Sequence, residues 1–211
     1  MAPKSYQGIT TFFNKYHRAC EDFCGGRVHI PKPDIKNGIP GKNILLMFIN
    51  ERPGRIGPGQ TDSISFENPD PTAHRFRRLF GAFGISRKRI FITNACIYYP
   101  THEKYRDKPP DKKEINFSKD ILIDQIKRVK PKIIVTLGNT ALYTLKKIYP
   151  RSLQLKNYQL KNNIGKLISD NKPIIYPLYH TSNRAERTRP EKKQRKDWGK
   201  LKTFIKKHRW K

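Results

Sequence analysis

The sequence predicts an α/β fold, a three-layer α/β/α sandwich with a central, mainly parallel four-stranded sheet. Four short runs are apolar along their length, which is typical of strands buried on both faces. Segments with helical periodicity alternate with these runs, as in parallel sheets that helices cover on both sides. Two stretches rich in glycine and proline indicate connecting loops.

The first half of the chain combines aromatic helical stripes with two apolar strands. Phe12, Phe13 and Tyr16 recur at helical spacing near the N-terminus, and Phe76 and Leu79 do so further along. The predicted elements are a helix at 5–23, a connecting segment at 25–42, strands at 44–49 and 90–94, and a helix at 72–83.

The second half repeats the alternation. Ser118 is a suitable helix cap, and Pro131 ends the helical pattern that follows it. The other predicted elements are a charged loop at 101–114, strands at 133–137 and 174–178, and helices at 138–148 and 190–207. We therefore predict two parts, an N-terminal helix and arm at 1–42 and an α/β/α domain at 43–211.

The charge of the chain indicates a polyanionic partner. Lys and Arg number 45 and Asp and Glu number 17, which gives a formal net charge of +28. Self-repulsion of this size destabilises a compact state unless a partner offsets it. Nucleic acid is the first candidate and an anionic membrane surface the second. A thermally adapted surface fits less well, because acids are scarce.

Membrane, secreted and disulfide-rich classes are not supported. The longest apolar run, residues 44–49, is far shorter than the ~20 residues of a membrane span. The N-terminus lacks a hydrophobic signal region. Three cysteines, Cys20, Cys24 and Cys96, indicate a reducing compartment. We expect an intracellular monomer, cytoplasmic or nucleoid-associated, that does not bind membranes.

Polar residues stand where the predicted strands end. Glu51 follows the first strand, Asn94 ends the second and His180 follows the fourth. Because parallel sheets gather their working residues at the carboxyl ends of the strands, we expect these side chains to meet. Each has an ordinary alternative, as a solvated acid, a turn amide or a half-buried histidine. Their joint placement favours a functional site.

The sequence lacks the motifs of nucleotide-binding loops and gives little support for a metal site. The loop at 52–59 has neither a Gly-Lys-Ser/Thr ending nor a Gly-x-Gly-x-x-Gly pattern. Metal binding by Cys20, Cys24 and a histidine is weakly supported, since the other histidines lack ligand spacing. We predict no metal site and no cofactor.

Four segments stand in a characteristic order. They are Glu51-Arg-Pro-Gly54, Ile90-Phe-Ile-Thr-Asn94, Lys130-Pro-Lys-Ile-Ile-Val-Thr-Leu-Gly138, and Pro177-Leu-Tyr-His-Thr-Ser182 before a helix with Asp197-Trp198. In order and spacing, residues 43–207 resemble the uracil-DNA glycosylase superfamily. The resemblance is greatest to the bacterial and archaeal branch, family 4, whose members usually hold an iron–sulfur cluster.

The resemblance implies a monofunctional enzyme of base excision repair. Such an enzyme flips uracil, or hypoxanthine or xanthine, out of DNA and hydrolyses the N-glycosidic bond. It implies that His180 stabilises the negative charge on the leaving base, and that Glu51 orients water and offsets the positive charge of the sugar. Asn94 would read the base edge, Phe66 would stack on the base, and the turn at Pro53 and Gly54 would border it. We also expect DNA contacts from Arg52, Ser182, Arg184 and Arg187.

The sequence departs from the family pattern at several positions. Asn50 stands where the family usually has glycine, and Arg52 where it has a small residue or an acid. The next family carboxylate falls near Gly57, which leaves Asp62 or Glu67 as alternatives. Tyr98 occupies the third cluster-cysteine position, and with three cysteines we expect no iron–sulfur cluster.

Two other functions remain open on the sequence. One is a non-catalytic, basic nucleic-acid-binding protein with the same fold, which explains the charge equally well. The other is a glycosylase-like protein that traps damaged DNA. The non-catalytic alternative does not explain why three polar side chains should stand at three strand ends.

Overall fold

The structure is a computed structural model that describes residues 4–33, 39–65, 67–100 and 108–208. Its strands are β1 (Val28–His29), β2 (Lys32–Pro33), β3 (Leu46–Asn50), β4 (Ser63–Ile64), β5 (Ile90–Asn94), β6 (Tyr99–Pro100), β7 (Ile133–Leu137) and β8 (Ile174–Leu178). Its helices are α1 (Lys4–Cys24), α2 (Pro58–Thr61), α3 (Pro71–Gly81), α4 (Lys112–Val129), α5 (Asn139–Ile148), α6 (Leu153–Asn157), α7 (Leu160–Asn163), α8 (Asn183–Thr188) and α9 (Glu191–Lys207).

The central sheet confirms the predicted α/β class. Its strands are all parallel and lie in the order β5-β3-β7-β8. Leu46 of β3 pairs with Ile90 on one side and with Ile133 on the other. The carboxyl ends of β3 and β5 are level, since Asn50 pairs with Asn94.

Alternate residues of the strands face two helical layers. Met47 and Ile49 belong to a core cluster that includes residues of α1, α4 and α5, such as Phe12. Leu46 and Phe48 belong to a second cluster, built with α3 and α9. This alternation follows from the period-two geometry of a strand and confirms the three-layer sandwich.

An aromatic cluster fixes α3 against the sheet. The Phe48 and Trp198 rings stack with centroids 5.7 Å apart, and the Phe76 ring contacts both edge-on. Burial of large rings contributes strongly to core stability. The N-terminal end of α3 is thereby held beside the carboxyl ends of the strands.

The start of α4 differs from the prediction. The helix begins at Lys112, within the predicted charged loop, and not at Ser118. Asp111 is the cap: its side chain accepts hydrogen bonds from the Lys113 and Glu114 amides, and Glu114 accepts one from the Asp111 amide. This capping box outweighs the charged composition that suggested a loop. Residues 101–107 of that loop lie outside the described residues.

Several short elements were not predicted. They are the helices α2, α6, α7 and α8 and the two-residue strands. Each is too short to show hydrophobic periodicity, which needs a longer window. The predicted final helix is present as α9, and α8 lies just before it.

The N-terminal helix packs on the sheet layer. Phe12, Phe13 and Cys20 of α1 are buried in the same cluster as residues of the central strands. The predicted division of the chain at residue 42 stays a prediction. No helix in the described ranges is long and apolar enough to span a bilayer.

We predict that Asp111→Ala lowers the free energy of unfolding by about 1 kcal/mol, because the capping box loses its acceptor. Urea denaturation measures this change. Asp120→Ala is the matched control, since Asp120 is an exposed acid of the same helix and should change stability by less than about 0.5 kcal/mol. Equal effects of the two substitutions would contradict the assigned cap.

Candidate active site

A cleft of about 560 Å³ opens at the carboxyl ends of β3, β5 and β8. Its walls come from the segment at 52–58, the start of α3 and the segment after β8. Asn50, Asn94 and His180 are among its lining residues. A volume of this size suits a small organic ligand or a single nucleobase.

Asn94 lines this cleft and carries an amide nitrogen without a partner within the described residues. It ends β5 and is 3% exposed. Its Nδ2 atom is buried and has no hydrogen-bond partner within the described residues. Leaving a buried donor unpaired costs about 1–3 kcal/mol. A ligand acceptor at this position would recover that free energy.

His180 is held in one tautomer. Its Nδ1 atom accepts a hydrogen bond of 3.1 Å from the Ser182 backbone amide. Because an amide N–H can only donate, Nδ1 carries no proton, and a neutral ring must carry its proton on Nε2. Burial lowers the pKa of His180 below its ordinary value, although the charges of Glu51 and Asp70 act in the opposite direction. His180 therefore offers an Nε2–H donor at neutral pH.

The segment after His180 is anchored by a buried arginine of α3. Arg75 is 5% exposed, and its Nη1 donates to the Thr181 carbonyl at 2.9 Å. Its Nη2 donates to Asn183 Oδ1 at 3.1 Å and also pairs with Glu186. Sequence analysis missed this residue, because its partners lie more than a hundred positions away along the chain.

A glycine allows the β7–α5 turn to approach His180. Gly138 has a φ of +95°, which side-chain-bearing residues rarely adopt. A Cβ atom at this position would lie 3.4 Å from the His180 Cβ. The turn thus lies close to the Cβ and the backbone nitrogen of His180.

Glu51 lies close to His180 without being among the residues that line the cleft. It follows β3 and is half-buried. Its Oε2 accepts a hydrogen bond from the Thr140 hydroxyl, at the start of α5. The structure thus places Glu51 near His180, and it places Asn94 and His180 in one cleft. The functional roles of the three residues stay predictions.

Arg52 is among the residues that line the cleft, but its side chain is turned into the protein. Its side chain is 6% exposed, and Nη2 donates to Glu114 Oε1 at 2.6 Å. The Tyr98 hydroxyl donates to the same oxygen at 3.2 Å. The expected contact between Arg52 and a DNA phosphate stays a prediction, and this burial disfavours it.

The other predicted DNA-contact residues lie in the segment that follows β8. Ser182 and Arg184 line the cleft. The Ser182 hydroxyl caps α8 by accepting the Ala185 amide at 3.3 Å. Arg187 is exposed on α8. Their contacts with DNA stay predictions.

The predicted base-binding turn after Glu51 lies at the cleft. Gly54 lines the cleft and is exposed, whereas Pro53 is buried beside it. Phe66 lies outside the described residues. Their contacts with a base stay predictions.

The two alternative carboxylates are engaged away from the cleft. Asp62 lies 3.3 Å from Nε2 of His29, and Glu67 accepts from Arg87 at 2.9 Å. Neither is among the lining residues. The carboxylate that does line the cleft belongs to Asp70, which sequence analysis did not select. An Asp-Pro pair before an apolar helical stripe is a recognisable capping signal that could have identified it.

The cysteines do not fit an iron–sulfur cluster. Four thiolates are needed, and the chain has three cysteines. Burial raises the pKa of Cys20 and of Cys96 to about 12 each, which keeps both as thiols. Near these thiols, the Tyr98 ring lies beside the buried Arg52 guanidinium. Among the residues with described positions, no three His, Cys, Asp or Glu side chains are grouped to hold a metal ion.

Comparisons with known proteins identify a family. The model of the uracil DNA glycosylase superfamily matches residues 39–202. The chain is 28% identical over 162 residues to a Type-4 uracil-DNA glycosylase of Saccharolobus solfataricus, covering 69% of this chain and 65% of the relative. It is 27% identical to a Type-4 uracil-DNA glycosylase of Sulfurisphaera tokodaii, covering 68% of this chain and 64% of the relative. The match thus spans slightly less than two thirds of each relative.

We predict that Arg52→Met lowers the free energy of unfolding by about 3–5 kcal/mol, because Glu114 would remain as an uncompensated buried charge. Adding Glu114→Gln should restore part of the loss: glutamine is neutral, but its single oxygen cannot replace both carboxylate oxygens, which accept from Tyr98 and from the Asp111 amide. Urea denaturation of both variants measures this. A double variant no more stable than Arg52→Met alone would contradict the assigned role of the ion pair.

Proposed function

The chain belongs to the uracil DNA glycosylase superfamily, and we propose that it removes uracil from DNA by hydrolysing the N-glycosidic bond. One observation carries this proposal. The unpaired amide of Asn94 and the Nε2–H of His180 belong to residues that line the same cleft. The two relatives with that named activity support it.

Asn94 is proposed to read the base edge. A carboxamide presents one donor and one acceptor side by side. Its Nδ2, which lacks a partner within the described residues, would donate to uracil O4, and its Oδ1 would accept from N3–H. Cytosine carries a donor at position 4 and no proton on N3, so it would be disfavoured.

His180 is proposed to stabilise the leaving base. As the glycosidic bond breaks, its electron pair stays with the base, and negative charge grows on uracil O2. The neutral ring of His180 would donate its Nε2–H to that oxygen, in a cleft where burial strengthens the interaction. No proton needs to leave the imidazole for this role.

Glu51 is proposed to orient the attacking water. Its Oε2 is held by Thr140, which fixes the carboxylate and leaves Oε1 to accept a hydrogen bond from water. A water oxygen would then bond to the sugar carbon from which uracil departs. Since no covalent enzyme intermediate is needed, this is a monofunctional reaction without a Schiff-base lysine.

The basic surface is proposed to hold the DNA around the flipped nucleotide. Flipping costs a few kcal/mol, and binding of phosphates to cationic side chains can supply it. Arg184 at the cleft and Arg187 on α8 are exposed. The net charge of +28 provides the longer-range attraction.

The first test is excision from a uracil-containing labelled duplex, followed by alkali. We predict cleavage by the parent protein and a single-turnover rate lower by about 100-fold or more for Asn94→Ala and for His180→Ala. Matched controls are Asn162→Ala and His17→Ala, which alter exposed residues of α7 and α1 and should keep the parent rate.

Three outcomes of that assay would contradict the proposal. Salt-sensitive binding without cleavage would indicate a non-catalytic nucleic-acid-binding protein. A complex that survives denaturation would indicate a protein that traps DNA. Parent rates in both site variants would remove Asn94 and His180 from the reaction.

The pH dependence follows from the lowered pKa of His180. The neutral ring is the active form, and it persists at pH values where an ordinary histidine would already be charged. We therefore predict that the excision rate falls in acid with a midpoint below pH 6.5, the ordinary pKa of histidine. Single-turnover rates across pH 4.5–8.5 (a range of about two units either side of the ordinary pKa) measure this. An acid limb with its midpoint at or above 6.5 would contradict a neutral, buried donor.

A further inference from the structure

Asp70 stands at the junction of the cleft and α3. It caps the helix with one oxygen: Oδ1 accepts the Thr72 amide at 2.9 Å and the Ala73 amide at 3.1 Å. These two bonds fix the orientation of the carboxylate. Asp70 is also the only acid among the described residues that line the cleft.

The second oxygen of Asp70 remains available. Both hydrogen bonds that this carboxylate accepts within the described residues go to Oδ1 and not to Oδ2. Oδ2 lies against the backbone of Gly57, where an added Cβ atom would collide with it. The missing side chain of Gly57 therefore leaves space for a charged oxygen beside the cleft.

The depth of Asp70 suits the sugar better than the base. Asn94, at 3% exposure, lies on the cleft floor, whereas Asp70 is half-buried. An extruded nucleotide enters base-first, so its sugar would lie nearer the mouth. The charge of Asp70 also acts on His180, which places the carboxylate near the side chain proposed to bind the base.

We propose that Asp70 is a second catalytic carboxylate, which offsets the positive charge that develops on the sugar. This inference rests on the proposed function. When the C1′–N1 bond breaks, its electron pair leaves with uracil, and C1′ shares a positive charge with the ring oxygen. Asp70 Oδ2 faces that cation and neither takes nor gives a proton. Water oriented by Glu51 then forms the new bond to C1′ and releases its proton to solvent.

The test uses substitutions that keep the helix cap and remove the charge. Asparagine and serine both cap helices well, so Asp70→Asn and Asp70→Ser should fold with the parent stability. We expect each to excise uracil about 100-fold more slowly under single-turnover conditions. Asp111→Asn is the matched control, because Asp111 caps α4 in the same way and does not line the cleft.

A binding measurement isolates the charge. Two duplex probes carry an abasic-site analogue, one a cationic pyrrolidine and the other a neutral tetrahydrofuran. The parent protein should prefer the cationic probe, and Asp70→Asn should lose at least about 10-fold of that preference. Affinity for the neutral probe should stay unchanged.

The outcomes separate this inference from the proposed function. A parent protein that cannot excise uracil overturns the proposed function, and this inference with it. An active parent with Asp70→Asn at the same rate overturns only the assignment of Asp70. A slower Asp70→Asn that keeps its preference for the cationic probe also overturns it, because Asp70 would then act by position and not by charge.

Discussion

The hydrogen bond from the Ser182 amide to Nδ1 of His180 is the interaction on which the site depends. It fixes the side of the imidazole that carries the proton and turns Nε2–H into the available donor. Arg75 holds the same segment through the Thr181 carbonyl. Gly138, whose φ of +95° disfavours a side chain, places the β7–α5 turn beside the backbone and Cβ of His180. A histidine without these constraints could present either tautomer.

Helix α3 packs in the core and also positions residues at the cleft. Its aromatic stripe packs on the sheet through Phe76, and its N-terminal end carries both Asp70 and Arg75. A single rigid element thus places a carboxylate at the cleft and anchors the segment that holds His180. A shift of α3 would therefore move the Asp70 carboxylate and the Arg75 guanidinium together. For this reason the packing of α3 on the sheet affects the proposed reaction.

The sequence predicted the sheet and the strand-end residues because both follow from local patterns. Apolar runs locate strands, and a parallel sheet necessarily brings Asn94 and His180 to one rim. Residues that act through distant partners could not be found in this way. Arg52 pairs with Glu114 across 62 positions, and nothing in the sequence indicates that its charge is buried. The start of α4 was misplaced because the capping role of Asp111 was overlooked in a charged stretch.

The proposed reaction requires that His180 presents a neutral Nε2–H to the cleft. Long-range nitrogen–proton NMR of the ¹⁵N-labelled protein at neutral pH measures this directly, with His180→Gln to assign the signal. We expect one neutral tautomer, protonated on Nε2, whose resonance shifts when uracil is added. A ring protonated on Nδ1, or on both nitrogens, would contradict it.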